Sequence, residues 1–303
     1  MQVSGQAPAP LSDLKSWIFL LLIGVTWGSS YFFIKHGLLA FNPVQLFSLR
    51  ISIASLAFVP MAIAAFRKVK KAEYKYLLIV GFCGSFFPAF LFAVAQTKLS
   101  SSLTGVLSSL SPIWTLVVGG ALYGLILTKN HIIGVGIGLI GALSLVFTGE
   151  QSFSGSILYA GCVILATFLY AFSTNSVNSK LSHLSAMEIS GVAFSFIGLP
   201  ALVILFQSGF IEVMQSHLHA WPSFWNICAL ALLGTFMASL VYFKLIKISG
   251  AVFASTVSYI IPVVAIILGS FDGESLSFSQ IFGMLCVLLG VYISKQSPKQ
   301  VVE

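Results

Sequence analysis

The sequence predicts an all-α integral membrane protein, with ten transmembrane helices arranged as two inverted five-helix repeats around a central cavity. Three observations predict it: ten apolar runs of spanning length, a one-sided distribution of basic residues between them, and a match between the two halves of the chain.

Hydrophobic residues fill 58% of the 303 positions and charged residues only 8%, with a mean hydropathy of +1.01. Soluble domains carry about a quarter charged residues, so the soluble classes are excluded. The 27 Phe and 26 Gly suit helices packed in lipid, where small residues let backbones approach. The net charge of +7 resides in short loops between apolar runs, which argues for membrane orientation and against a nucleic-acid surface. Cys83, Cys162, Cys228 and Cys286 lie in separate apolar runs without a C-x-x-C pair or a neighbouring His cluster. They read as packing residues, and no metal or cofactor site is expected.

The apolar runs fall at 17–38, 43–66, 76–95, 100–123, 132–148, 155–177, 186–206, 223–243, 250–271 and 279–294. Each is long enough to cross a hydrocarbon core of about 30 Å. The first is too long for a signal-peptide core and ends in no small-residue cleavage pattern, so it is expected to be retained. Residues 1–16 and 296–303 are then cytoplasmic tails, 17–149 the first five-helix repeat, and 150–295 the second, inverted one.

An even number of spans puts both termini on one side. With the termini in the cytoplasm, that side holds Lys15, Arg67, Lys68, Lys70, Lys71, Lys75, Lys129, Lys180, Lys244, Lys247, Lys295 and Lys299, and the other side only Lys35 and Lys98. One miscounted helix would scramble this positive-inside pattern.

The halves also match residue by residue. Trp27–Lys35 of span 1 aligns with Tyr170–Asn178 of span 6, Pro60 with Pro200, Ser100–Pro112 of span 4 with Gly250–Pro262 of span 9, and Gly134 and Gly141 with Gly283 and Gly290. Because each half has an odd number of spans, the second half inserts upside down, an architecture found in many secondary transporters.

W-G-S-S-Y at Trp27–Tyr31 followed by Lys35, the Leu49-Arg50 pair, the proline-centred spans 4 and 9, the glycine spacing of spans 5 and 10, and Gly273-Glu274 together resemble the EamA family of the drug/metabolite transporter superfamily. The similarity runs from about residue 17 to 295; one departure is Gly124-Leu125, where the first half lacks the acidic partner of Gly273-Glu274. The resemblance implies a ten-span fold with cytoplasmic termini in a plasma membrane, a cavity between the halves, and transport of amino acids or similar small metabolites, often outward. Its partners would be a small-molecule substrate and membrane lipid.

Pro88, Pro112 and Pro262 each fall near the middle of a span. A proline there removes a backbone donor and frees the carbonyl four residues earlier, here Gly84, Ser108 and Ser258. In lipid such carbonyls need partners or a wet cavity. Ser108, Ser109 and Ser111, and Ser255, Thr256, Ser258 and Tyr259, stand beside these prolines and are predicted to line the substrate path at the midplane. The competing reading is that the hydroxyls only bond neighbouring carbonyls.

Trp27, Ser30, Tyr31, Tyr170, Asn175 and Asn178 are the polar or aromatic residues of the paired spans 1 and 6, suited to wall a cavity. Thr235, Ser239, Tyr242, Trp114 and Gln96 are further candidates. Arg50 is the one basic residue well inside a span. Unpaired in lipid it would cost about 2.5–3.5 kcal/mol on insertion scales, so it faces protein, carbonyls or water, either to bond exposed carbonyls or to attract an anionic group. Lys35 lies about 12 Å along a helix from Trp27 and serves as an interfacial anchor or a gate.

Proton-coupled carriers hold a carboxylate or His in the membrane. The five histidines (His36, His131, His183, His217 and His219) fall in loops or at span ends, and Glu188 is the one acidic residue placed within a span. Facilitated or exchange transport is therefore expected rather than proton coupling. No nucleotide-binding motif occurs, which excludes ATP-driven pumping by this chain. A membrane-embedded enzyme would need convergent carboxylates, His or Cys, and only scattered ones are present. A non-transporting structural or sensory protein would not need a polar, bent midplane.

Overall fold

The structure, a computed structural model, describes residues 10–125 and 153–271, with isolated positions between 129 and 140 and between 278 and 293. As continuous elements, predicted spans 5 and 10 lie outside the described residues, as do Gly138, Gly141, Gly273, Glu274, Gly283 and Gly290. Among the described residues all regular structure is helical. In chain order the helices are α1 (Pro10–Gly37), α2 (Pro43–Ala65), α3 (Tyr74–Gly81), α4 (Phe87–Ala95), α5 (Ser101–Ser108), α6 (Ser111–Leu122), α7 (Phe153–Ser179), α8 (Ala186–Gln207), α9 (Phe210–Ser216), α10 (Ala220–Ala231), α11 (Ala238–Ser255) and α12 (Ile260–Phe271). Wide π turns join α3 to α4 (Phe82–Phe86) and α10 to α11 (Leu232–Met237), and a tight 3₁₀ turn (Thr256–Tyr259) precedes α12.

Among the described residues seven stretches are long and apolar enough to cross a membrane, the last of them Ala220–Gly269, 50 residues long. A straight helix of that length would measure about 75 Å, more than twice a hydrocarbon core. The stretch is not straight: the backbone leaves the helical region at Gly250, with φ 81° and ψ 163°. Only glycine adopts that conformation readily. The Asn178 side-chain oxygen accepts the Ala251 N–H at 3.2 Å and so starts the helix beyond the break.

At the centre α2 packs along α8. Both helices begin with a capping box: Asn42 and Gln45 exchange side-chain-to-backbone bonds, as do Ser185 and Glu188. Gly191 lies so near α2 that a Cβ there would sit 2.9 Å from the Ala62 nitrogen, the close approach that small residues permit in membranes. Phe58 fills the seam, 4.6 Å ring to ring from both Phe194 and Phe236.

Around this pair the contacts repeat in exchanged roles. α1 packs against α10, α11 and α12, while α7 packs against α3, α4 and α6; α5 meets α12. At one end of the bundle Lys68 pairs with Glu188 at 3.0 Å, Glu73 with His183 at 2.7 Å, and the Lys247 ammonium with the Leu184 carbonyl. At the other end Gln45 Nε2 donates to the Ser208 carbonyl and Ser223 to the His36 carbonyl, each at 2.8 Å.

Just before the prolines of spans 4 and 9 the α-helix tightens into a 3₁₀ turn while its backbone stays right-handed. α5 stops at Ser108 and α6 restarts at Ser111, one residue before Pro112, and the 3₁₀ turn precedes Pro262 in the same way. A proline is tolerated at the first turn of a helix because its missing N–H would be unsatisfied there anyway. Pro88 likewise opens α4 just after a π turn.

Candidate functional site

Between these helices lies a cavity of ≈ 80 Å³. One water occupies about 10–15 Å³ of such space, so several waters or a small solute fit. α1 contributes Trp27, Ser30 and Tyr31; α2 contributes Arg50; α5 and α6 contribute Ser108, Ser111 and Thr115. From the other half come Tyr170, Ser173 and Thr174 of α7, Ser239 and Tyr242 of α11, and Ser258. The two π turns face each other across it through Gly84 with Ser85 and Gly234 with Thr235.

The π turns shape this chamber. A turn closed over five residues leaves carbonyls unbonded within the helix. The Trp27 indole N–H donates to the carbonyl of Gly234, inside the second π turn, at 3.0 Å. Glycine is required at the contact, because a Cβ on Gly234 would lie 2.7 Å from Ser30 Oγ; one on Gly84 would collide with Ser173 Oγ. Trp27 then rests against Tyr242 with ring centroids 4.8 Å apart, and Phe92 lies between Tyr31 at 5.7 Å and Tyr170 at 6.0 Å.

Four serine and threonine hydroxyls of the wall, on Ser30, Ser108, Ser111 and Thr115, commit their protons to backbone carbonyls. Ser30 donates to Thr26 at 2.9 Å, Ser108 to Gly105 at 2.6 Å, and Ser111 to Ser108 at 2.8 Å. The Ser111 bond satisfies the carbonyl that Pro112 frees. What these four hydroxyls offer the chamber is therefore acceptor oxygen. Arg50 is different. Its Nε donates to Thr235 Oγ1 at 2.7 Å, and no acidic group pairs with it among the described residues. Arg50 is 9% exposed, and that exposure opens onto the cavity.

Of the residues singled out in the sequence, the structure gathers Trp27, Ser30, Tyr31, Arg50, Ser108, Tyr170, Ser239, Tyr242 and Ser258 around one chamber, together with Thr235. Lys35, Pro88, Ser109, Pro112, Trp114, Asn175, Asn178, Ser255, Tyr259, Pro262 and Gln96 are not in its wall. Several of these hold the framework instead. Asn175 Nδ2 donates to the Thr115 and Ala171 carbonyls, both at 2.9 Å. Gln96 Nε2 donates to the Tyr31 carbonyl at 3.0 Å and to Ser101 at 3.1 Å. Ser109 and Ser255 bond the carbonyls of Val106 and Val252. Glu188 serves as a cap and an ion-pair partner at the bundle end, away from the chamber. Ser85, Ser173, Thr174 and Gly234 were not among the sequence candidates, and Gly84 was named only for its carbonyl. The offset of 150 residues that pairs spans 4 and 9 also pairs Gly84 with Gly234 and Ser85 with Thr235, and the offset of 143 that pairs spans 1 and 6 pairs Ser30 with Ser173 and Tyr31 with Thr174; the repeat thus held the signal that would have found them.

Apolar helices folded around a chamber whose wall carries Arg50 and a set of hydroxyls define a polytopic membrane protein with room for a solute in its interior. The chain belongs to the EamA-like transporter family, whose sequence pattern matches residues 14–147 and 157–295. It is similar to an uncharacterized transporter of Archaeoglobus fulgidus, 27% identical over 92% of this chain and 98% of that one. The uncharacterized inner membrane transporter YedA of Escherichia coli K12 is 26% identical over 92% of each chain. A probable amino-acid metabolite efflux pump of the same organism is 21% identical over 92% of this chain and 94% of the pump. A solved crystal structure at 16% identity superposes with a TM-score of 0.60 over 94% of this chain and 97% of its own, a likeness of fold. The protein is thus a multi-pass membrane transporter.

Proposed function

We propose that this transporter moves small organic metabolites, amino acids or similar solutes, outward by alternating access, through a body of ten spans built as two inverted halves with cytoplasmic termini. The observation that carries the reading is the makeup of the chamber wall, which comes in pairs from the two halves: Trp27 with Tyr170, Ser30 with Ser173, Ser85 with Thr235, and Ser108 with Ser258. Contacts that repeat with exchanged roles around α2 and α8 fit the same symmetry. If the halves are equivalent, swapping their conformations turns a chamber open to one face into one open to the other.

The bundle end where Lys68, Lys247, Glu73 and Glu188 meet joins the segments that the basic-residue pattern puts in the cytoplasm. No Asp, Glu or His is among the chamber residues described, which favours facilitated or exchange transport over proton coupling. Purified protein in liposomes loaded with labelled metabolite pools tests the reading. Saturable efflux, stimulated by solute on the far side, is expected; absence of flux for every pool would overturn it. Maleimide labelling of single cysteines replacing Lys68 and Leu218 tests the orientation, with opposite-face accessibility expected.

A further inference from the structure

We infer that the chamber takes carboxylate-bearing solutes, the carboxylate docking on the open face of the Arg50 guanidinium. The inference rests on the carrier reading above and names its substrate class.

Arginine carries five N–H donors in a fixed fork that matches a carboxylate. The structure engages one, at Nε, with Thr235. Arg50 otherwise has no hydrogen-bond partner among the described residues, and none of its polar atoms is among the sealed, unsatisfied ones. The remaining donors therefore look into the chamber. A guanidinium is always charged, and a buried charge is retained only when paired or solvated. The α8 helix, which packs along α2, has no basic residue, and among the described residues the chamber wall holds no carboxylate, Lys or His. The chamber thus carries one uncompensated positive charge, placed on one side.

A monoanion cancels that charge; a zwitterion of the same shape brings its own cation and leaves the net charge as it was. Ser30, Ser108, Ser111 and Thr115 have given their protons to backbone carbonyls, so at those positions a carboxylate meets acceptor oxygens, and the guanidinium is the charged donor left to it. The rest of the solute then lies along Trp27, Tyr31, Phe92 and Tyr170, an aromatic wall suited to an apolar body. An α-ammonium group has no anionic partner there and is dispensable.

The test measures thermal stabilisation of the detergent-purified full chain by 4-methylpentanoate, 4-methylpentanamide and leucine, by 3-phenylpropanoate, 3-phenylpropanamide and phenylalanine, and by chloride alone. Each acid should bind about tenfold or more tightly than its amide, as expected for hydrogen bonds to a charged group, and at least as tightly as the amino acid. Arg50→Gln should erase the acid–amide difference, while Arg50→Lys keeps part of it. Equal binding of acid and amide, binding of amides only, no stabilisation by either acid, or an Arg50-dependent response to chloride to which the acids add nothing would each overturn the proposal. If Arg50→Gln fails to fold, the acid–amide contrast on the natural chain still decides. Efflux of the neutral amides without efflux of the acids would sink this inference and leave the carrier standing, whereas absence of all efflux would sink the carrier itself.

Discussion

Arg50 and Thr235 are joined by a 2.7 Å hydrogen bond between Nε and Oγ1, across 185 residues of chain. The bond ties the middle of α2 to the π turn between α10 and α11, and it aims the free edge of the guanidinium at the chamber. Thr235→Val keeps the volume and removes the acceptor. Losing a bond to a charged donor should lower unfolding free energy by about 1–3 kcal/mol. Chemical denaturation in detergent measures this, and Thr235→Ser should restore the natural value. A Val variant as stable as the natural chain would show the bond to be idle.

Gly234 touches Ser30 closely enough that an added methyl has no room. Gly234→Ala is expected to destabilise by about 1–3 kcal/mol through overpacking and to slow transport. Pairing it with Ser30→Ala, which removes the colliding oxygen, should recover most of the loss. Purely additive effects in this double-mutant cycle would contradict the contact.

Glu188 lies at the bundle end, bonded to the Ser185 N–H and paired with Lys68, whose side chain is 68% exposed. Glu188→Gln keeps an acceptor for the cap, as Gln45 does in α2, and loses an exposed ion pair worth under about 1 kcal/mol. Transport into proteoliposomes should be insensitive to this change and to an imposed pH gradient. Strong gradient dependence, abolished in the Gln variant, would assign Glu188 a coupling role instead.

A tight turn joins α5 to α6 just before Pro112, and Ser111 Oγ bonds the Ser108 carbonyl there. Pro112→Ala returns an N–H to that position and removes a residue disfavoured by about 3 kcal/mol in a helix interior. The melting temperature should hold or rise while transport falls, because the tight turn that shapes the chamber can then relax. Unchanged flux in a well-folded variant would show the turn to be dispensable.

How much of this was legible in the sequence depends on the range of the determining interactions. Spans 1, 2, 6 and 7 are local properties of apolar runs with capping residues such as Asn42 and Ser185, and they stand where hydropathy puts them. Trp27, Tyr31, Tyr170 and Arg50 were visible as polar or aromatic residues with no business in lipid. The prolines announced irregular helices at spans 4 and 9, but the tightening into 3₁₀ turns beside them depends on local hydrogen bonds such as those of the Ser109 and Leu110 N–H groups. The π turns left no such mark, since Phe82–Phe86 and Leu232–Met237 read as ordinary apolar helix and only their packing against Ser173 and Ser30 explains their glycines. Asn175 and Asn178 resemble cavity residues by type, yet backbone groups across the chain claim their amides.

Gly250 has a reach far beyond its own backbone angles. Were the helix to run on through it, the apolar stretch from Ala220 to Gly269 would be one rod more than twice as long as a hydrocarbon core is thick, where the chain now has two crossing lengths. A single position where a hydrogen atom stands in place of a side chain divides them.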